Sequence, residues 1–136
     1  MTELLKSLDI SASGMKAQGT RLRVISENVA NAGSTALTPQ GEPYRRKLVT
    51  FGSTLDRQLG AELVEVTKVS RDPSEFGQRY QPGHPAADAN GYVKTSNVNT
   101  LVEMADMREA ERSYQANLRV LQASRNMLQR TIDLLR

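Results

Sequence analysis

Apolar residues recur every seven positions in the last third of the chain. The series consists of Met107, Tyr114, Leu121, Leu128 and Leu135. A second series, four residues further on, is only half apolar, and its apolar members are Leu118 and Ile132. Because seven residues span about two helical turns, the pattern predicts one long helix over 101–136 with a narrow apolar stripe.

The first third of the chain repeats this spacing. Its apolar series consists of Leu8, Met15, Leu22 and Val29. This pattern predicts a helix that ends near Asn31-Ala32-Gly33, where Asn and Gly tolerate the left-handed C-cap geometry. Asn28 and Asn31 lie three residues apart, on one helical face, and their amides are able to bond a neighbouring chain. The alternative interpretation is that asparagine here only marks the end of the helix.

The predicted lengths of the two helices favour assembly. At about 1.5 Å per residue they extend about 43 Å and 54 Å, whereas a compact domain of this size is about 37 Å across. We expect the helices to pair as an antiparallel coiled coil and then to pack on further subunits. The simpler alternative is a helical hairpin within one chain that packs on no further subunit. The predicted fold is mainly α, divided into a helix over 1–32, a β/loop segment over 33–100 and a helix over 101–136.

The middle segment has short β-strand signals. All five prolines lie between residues 31 and 100, and two stretches, 44–51 and 62–70, are rich in β-forming residues. Asn90-Gly91 is a turn dipeptide that precedes a last short strand at 92–93. At the start of the C-terminal helix, Asn99 or Thr100 is the predicted cap, and Glu103 completes a capping box with Thr100.

Composition excludes most catalytic chemistry. The chain has 136 residues, of which 38% are hydrophobic, 24% charged and 4% aromatic, with no Cys and one His. Disulfides, cysteine-based metal sites and multi-histidine centres are therefore impossible, and we expect no catalytic residue, cofactor or metal. His84 lies near Asp72 and Asp88 in sequence, but one His with two loop carboxylates is a weak signal, and a structural or solvated histidine is favoured.

Charge is spread evenly. The segments 1–30, 31–100 and 101–136 carry four basic against three acidic residues, eight against seven, and six against five. A nucleic-acid partner is not expected, because such binders concentrate basic residues on one element. The basic triplet at 45–47 is interpreted as a solvated face. Apolar runs are too short for a cleaved signal peptide or for direct membrane insertion.

Several short motifs along the chain are similar to those of a known family. They are Ser13–Gln18 with Arg21-Leu22, SENVANA at 26–32, Tyr44-Arg45-Arg46, Asp72-Pro73-Ser74 with Phe76 and Tyr80, Pro82-Gly83-His84-Pro85 through Asp88 to Gly91-Tyr92-Val93, Asn97-Val98-Asn99, Glu103–Met107 and Arg112–Asn117. On these residues the chain resembles the bacterial flagellar axial proteins. Glu75 and Gln81 depart from the typical pattern, which affects local loop geometry.

The resemblance implies a structural, non-enzymatic subunit of the proximal rod of the basal body. The rod is a helically polymerised drive shaft that crosses the periplasm and transmits torque from the membrane ring to the distal rod and hook. The implied partners are copies of the chain, other rod proteins, the membrane (MS) ring or export-gate adaptor, and the type III export apparatus, which exports such subunits without cleaving a signal peptide. Two alternatives stay open: a stand-alone homo-oligomeric coiled-coil scaffold, and another axial protein of the rod or hook.

Overall fold

A computed structural model gives the architecture of the chain and describes residues 2–135. In chain order the elements are the helix α1 (Thr2–Ala30), the strands β1 (Lys47–Asp56), β2 (Ala61–Arg71), β3 (Gly77–Tyr80) and β4 (Tyr92–Thr95), and the helix α2 (Thr100–Leu134). Two long terminal helices thus flank a middle segment with two small sheets, β1–β2 and β3–β4. The predicted fold class, mainly α with a β-rich insertion, is confirmed.

The end of α1 lies where the sequence predicts it. The helix ends at Ala30, and the Asn31 side chain donates from Nδ2 to the carbonyl of Glu27 at 2.8 Å. The backbone N–H of Asn31 donates to the same carbonyl at 3.1 Å. Asn31 therefore completes the last turn of its own helix, as the helix-end interpretation of this residue predicts.

The start of α2 uses one of the two predicted caps. Asn99 Oδ1 accepts hydrogen bonds from the backbone N–H groups of Leu101 at 3.1 Å and Val102 at 3.4 Å, which identifies Asn99 as the cap. The predicted capping box is wrong, because the carboxylate of Glu103 binds Asn28 and Arg46 instead.

The hairpin β1–β2 extends further than predicted. Its first strand begins at Lys47, three residues after the predicted start, and continues to Asp56. In the turn, Asp56 Oδ1 accepts from the backbone N–H of Gln58 at 2.9 Å, and Gly60 has a φ of 62°. A side chain at Gly60 would be strained in this conformation, so glycine permits the tight connection to β2.

The second sheet pairs β3 with β4 in antiparallel register, from Gly77 opposite Thr95 to Tyr80 opposite Tyr92. The predicted Asn90-Gly91 turn is present, with a φ of 85° at Gly91, but β3 was not predicted. Val93 on β4 is fully buried and packs in a small core with Ala36 and Ala86.

The chain divides into two compact units that each combine distant segments. Unit 1 consists of Met1–Leu22, Thr50–Lys68 and Arg108–Arg136, and unit 2 consists of Arg23–Val49 and Val69–Met107. Both helices and the β1–β2 hairpin contribute residues to each unit. The three segments predicted from the sequence are continuous stretches of chain, whereas each unit combines stretches that are distant in sequence. The division into three segments therefore stays a prediction.

In unit 1, α1 and α2 run antiparallel along a seam of small and polar side chains. Ser7 Oγ lies 3.2 Å from Ser124 Oγ, and further along α1 the side chain of Asn117 lies against Gly14. The buried residues of this unit include Ser11, Ala17, Ala110 and Ser124. Because small residues line the seam, the two backbones approach closely.

Candidate functional site: the Arg46 cluster

Asn28 joins three segments of unit 2. Its side chain is 1% exposed. Oδ1 accepts from the Tyr44 hydroxyl at 2.8 Å and from the backbone N–H of Lys47 at 2.9 Å. Nδ2 donates to the Lys47 carbonyl at 2.9 Å and to Glu103 Oε2 at 3.1 Å. A primary amide makes up to four hydrogen bonds, so this one uses its full capacity to tie α1 to β1 and α2.

Arg46 lies at the centre of the same cluster and faces three carboxylates. Its Nε donates to Glu103 Oε1, Nη1 lies 3.3 Å from Asp72 Oδ2, and Nη2 lies 3.5 Å from Asp106 Oδ2. The Arg46 side chain is 20% exposed, whereas that of Glu103 is 1% exposed. We name these four residues with Asn28 the Arg46 cluster. In this cluster the buried carboxylate of Glu103 accepts hydrogen bonds from the guanidinium of Arg46 and from the amide of Asn28.

Hydrogen bonds between side chains and backbone groups hold the turn at residues 72–74, which follows β2, next to the cluster. Asn97 Oδ1 accepts from the backbone N–H of Arg46 at 2.7 Å, and its Nδ2 donates to the Ser74 carbonyl at 3.2 Å. Arg45 donates to the carbonyls of Asp72 and Ser74, at 3.0 Å each. These contacts hold the 72–74 turn against the residues that lead into β1.

A second ion pair lies beside the cluster. Lys47 Nζ is 2.7 Å from Glu27 Oε2, and Arg23 Nη1 is 2.6 Å from Glu27 Oε1. The hydrogen bond from Lys47, together with the charges of Lys47 and Arg23, lowers the pKa of Glu27 although partial burial opposes this. Glu27 therefore stays ionised below the usual range of a glutamate.

Protonation in the cluster follows from its contacts. The backbone N–H and hydroxyl of Ser74, with a smaller contribution from Arg46, lower the pKa of Asp72. Burial alone would lower the pKa of Arg46, but the hydrogen bonds and charges of Glu103 and Asp72 outweigh burial and raise it. Burial raises the pKa of Tyr44. The lowered pKa of Asp72 and the raised pKa of Arg46 keep this pair charged, which suits ion pairs that hold segments together.

The contacts of the basic triplet and of Asn28 differ from what the sequence predicts. The basic triplet at 45–47 is not a solvated face, because Arg46 and Arg45 are bound to the 72–74 turn and to α2. Asn28, predicted to bond a neighbouring chain, uses its four hydrogen bonds within its own chain. Every residue of the cluster belongs to one of the motifs that carry the family resemblance. Membership of these motifs was the only signal in the sequence that pointed to the cluster.

His84 has a structural place in unit 2. Its Nδ1 accepts from the backbone N–H of Ala86 at 3.0 Å, and its Nε2 lies 3.3 Å from Thr35 Oγ1. Both ring nitrogens have hydrogen-bond partners within unit 2, in agreement with the favoured interpretation of this histidine. Within residues 2–135, no group of three His, Asp or Glu side chains is placed to hold a metal ion. No helix in that range is long and apolar enough to span a bilayer.

Most of the residues predicted to act in helix pairing and assembly are half-buried. The half-buried ones are Leu8, Met15, Leu22, Val29, Asn31, Met107, Tyr114, Leu118, Leu121 and Leu128. Ile132 is 44% and Leu135 is 78% exposed. The most buried positions of the helices belong to smaller or polar side chains, so the role of the apolar stripes in assembly stays a prediction.

Two family models match the chain. The model described as "Flagella basal body rod protein" matches residues 8–36, and "Flagellar basal body rod FlgEFG protein C-terminal" matches residues 89–134. The first segment contains Asn28 and the second contains Asn97 and Glu103, whereas Arg46 and Asp72 lie between them.

Full-length relatives extend the similarity across the whole chain. A protein of Agrobacterium fabrum named flagellar basal-body rod protein FlgC is 55% identical over 136 residues, which cover 100% of this chain and 98% of the relative. The chain belongs to the FlgC family of flagellar basal-body rod proteins. FlgC of Salmonella typhimurium is 41% identical over 131 residues (96% and 97% of the two chains), and FlgC of Bacillus subtilis is 38% identical over 143 residues (94% and 95%).

Membership of the FlgC family identifies the chain as a structural subunit of the flagellar basal-body rod. It also explains the presence of the Arg46 cluster, because a structural subunit requires its segments to be held in fixed positions. The geometry agrees with this role because the cluster pairs its charges with one another inside unit 2.

Proposed function

We propose that this FlgC-family chain is built into the proximal part of the rod, where copies polymerise helically through their terminal helices. The observation that carries the proposal is the similarity over the full chain to proteins named flagellar basal-body rod protein FlgC. In this proposal the polymer crosses the periplasm and acts as a drive shaft, which transmits torque from the membrane ring to the distal rod and hook.

Exposed apolar side chains on α2 support an assembling surface. Leu101 is 78% exposed and Leu134 is 86% exposed, and Val120 and Met127 are each about half exposed. Large apolar side chains left open along one helix are typical of a surface that another protein covers. These side chains support a polymerising role for segment 101–136. The resemblance to the flagellar axial proteins extends that role to segment 1–32 and implies lateral and outer contacts for segment 33–100.

The proposed partners follow from the family. They are copies of the chain, other rod proteins, and the membrane (MS) ring or the export-gate adaptor. In the proposal the chain reaches the rod through the type III export apparatus without cleavage of a signal peptide. A nucleic-acid partner is not included, because the basic residues are spread evenly along the chain. Direct membrane insertion is not included, because the apolar runs are short.

Leu121 offers a direct test of the role of α2. We expect Leu121→Asp to abolish rod assembly and motility, because a charge on the half-buried apolar stripe of α2 is incompatible with helix packing. Unit 2, which contains the β3–β4 sheet and the Arg46 cluster, should stay folded, since Leu121 belongs to unit 1. The measurement combines swimming assays with electron microscopy of basal bodies, in cells whose own FlgC-family gene has been replaced by the variant.

The matched control is Gln122→Asp, which introduces the same charge at the next position of α2, where the side chain is exposed. Cells with this control should swim and build rods. Normal motility of Leu121→Asp would contradict the proposal, and so would equal loss of rods in both variants.

A further inference from the structure

Asn90-Gly91, in the loop before β4, is the only Asn-Gly pair among the 136 residues. Glycine has no Cβ to hinder its backbone nitrogen, so this nitrogen reaches the side-chain amide of a preceding asparagine more readily than any other residue's does. Each of the other six asparagines precedes a residue that has a side chain. The sequence therefore contains one pair that favours modification of asparagine without an enzyme.

The reaction joins Asn90 and Gly91 in a succinimide ring. Gly91 N forms a bond to Asn90 Cγ, the bond from Cγ to Nδ2 breaks, and the amide leaves as ammonia with the proton from Gly91 N. Water then opens the ring. Opening at Cγ leaves an aspartate, whereas opening at the main-chain carbonyl carbon leaves an isoaspartate, in which the backbone is one carbon longer. Either product carries a carboxylate in place of a neutral amide.

In the folded chain, hydrogen bonds hold both backbone groups of Gly91. Its N–H donates to the Asp88 carbonyl at 3.0 Å, and its carbonyl accepts from the backbone N–H of Gln81 at 2.9 Å. Gly91 is buried, whereas Asn90 is exposed. The amide that is attacked is therefore open to water, but the nitrogen that attacks it is already bonded and covered.

Asp88 fixes the same loop through its side chain. Its Oδ1 accepts from the backbone N–H groups of Asn90 and Tyr92, at 2.9 Å each. Tyr80 on β3 covers Gly91, since a Cβ at Gly91 would lie 2.9 Å from Tyr80 Cε2. Gly91 N therefore reaches Asn90 Cγ only when the loop opens and these contacts break.

We propose that Asn90-Gly91 is a self-modification site that the fold controls. The pair reacts while the chain is unfolded, and the 88–92 loop blocks the reaction once β3 and β4 have paired. A chain that reacts before folding has a new carboxylate, and in isoaspartate a longer backbone, within the turn into β4. The modification thus marks chains that stay unfolded too long and weakens their unit 2. The inference is independent of the proposed function, because it concerns the single chain before any assembly.

Mass spectrometry in water labelled with heavy oxygen measures the reaction, because ring opening adds a labelled oxygen at residue 90. The purified full chain is incubated at mildly alkaline pH, either folded in buffer or unfolded in guanidinium chloride, and is then digested. We expect residue 90 to react about tenfold faster or more in the unfolded chain, since the folded chain reacts only through local opening. Equal rates in the two states, or no label at residue 90 in the unfolded chain, would overturn the inference.

Asp88 provides a matched pair of variants. In buffer, Asp88→Ala should react about fivefold faster or more at residue 90, because the loop loses the acceptor of two backbone N–H groups. Asp88→Asn keeps an oxygen acceptor and should react at nearly the rate of the unmodified chain. All three chains should react alike in guanidinium chloride. If Asp88→Ala reacts in buffer at the rate of the unmodified chain, the loop does not control the reaction.

Refolding tests the consequence for unit 2. Chains kept in guanidinium chloride until most of residue 90 has reacted are refolded, and their urea midpoint should be lower than that of freshly unfolded and refolded chains. Asn90→Gln is the control, because the longer side chain closes a larger and less favoured ring, and the same treatment should leave its midpoint unchanged. An unchanged midpoint in the reacted chain, or an equal decrease in Asn90→Gln, would show that the modification does not weaken the unit.

Discussion

At Asn28 and Arg46, single side chains hold together segments that are far apart in sequence. The amide of Asn28 binds Tyr44, Lys47 and Glu103, and the guanidinium of Arg46 faces three carboxylates. When one member of such a network is removed, the cost depends on how deeply the remaining partner is buried, because water replaces the lost contact only at the surface. Substitutions within the cluster should therefore differ strongly in effect.

Arg46→Met should lower the free energy of unfolding by about 3–5 kcal/mol, because it leaves the buried carboxylate of Glu103 without its cation. Asp106→Asn should cost about 1 kcal/mol or less, since Asp106 is 34% exposed and water replaces part of its interaction with Arg46. Urea unfolding followed by circular dichroism measures both values. Equal destabilisation by the two variants would show that burial of Glu103 does not govern the cluster.

Acid should weaken unit 2 through Asp72 and Glu27, whose pKa values are lowered in the folded chain. A carboxylate with a lowered pKa contributes stability above its unfolded pKa, near 4, and this contribution is lost as the pH falls through the lower folded value. The urea midpoint should therefore decrease below about pH 4.

In Asp72→Asn, the decrease with acid should be smaller than in the unmodified chain, because one of the two titrating groups is absent. Glu75→Gln is the control, since this nearby carboxylate is exposed, and it should leave the profile unchanged. A wild-type midpoint that is constant from pH 7 to pH 3 would refute the assignment.

Residue roles were only partly predictable from the sequence. Asn99 as a cap was predictable from its neighbours in the chain, and His84 as a structural residue was predictable because one histidine with two loop carboxylates is a weak signal for a metal or catalytic site. The pairing of Arg46 with Glu103 was not, because the two residues are 57 positions apart and local patterns favoured a solvated triplet and a capping box. Only the fold decides between these roles.

At the scale of elements, the spacing of large apolar residues predicted both helices but did not predict which face of each helix is buried in unit 1. The residues that recur every seven positions in the buried part of α2, Ala110 and Ser124 among them, are small or polar. A search for large apolar residues passes over such positions. The strand β3 was missed for a related reason, since its four residues are all exposed and pairing with β4 provides its order.

Gly14 and Gly19 provide a matched pair of substitutions on α1. A Cβ at Gly19 would meet nothing within 4 Å, whereas a Cβ at Gly14 would lie 2.8 Å from Asn117 Nδ2. Gly19→Ala should stabilise the helix by up to about 1 kcal/mol through helix propensity. Gly14→Ala should gain less, or destabilise, because the side chain of Asn117 must move. Thermal melts followed at 222 nm compare the two variants.

The role of Asn117 is tested in a background that carries Asn117→Ala. There Gly14→Ala should stabilise the chain as much as Gly19→Ala does, because the obstructing amide is gone. If Gly14→Ala already equals Gly19→Ala in the unmodified chain, the close contact between Gly14 and Asn117 does not constrain the seam.

At the scale of the whole molecule, the features of the composition that count against most enzyme chemistry suit a rod subunit. The chain has few aromatics, one histidine and no cysteine, and its buried positions include small and polar side chains such as Ser11 and Ser124. Large apolar residues stay exposed on α2, where a neighbouring subunit has room to cover them. The even charge along the chain agrees with contacts to several neighbours rather than with one strongly charged partner.

The most direct test of the central claim is cryo-electron microscopy of basal bodies from cells that produce this chain as their only FlgC-family protein. We expect density for α1 and α2 in successive copies along the rod next to the membrane ring, with the Arg46 cluster intact in each copy. Complete rods from which the chain is absent would contradict the account.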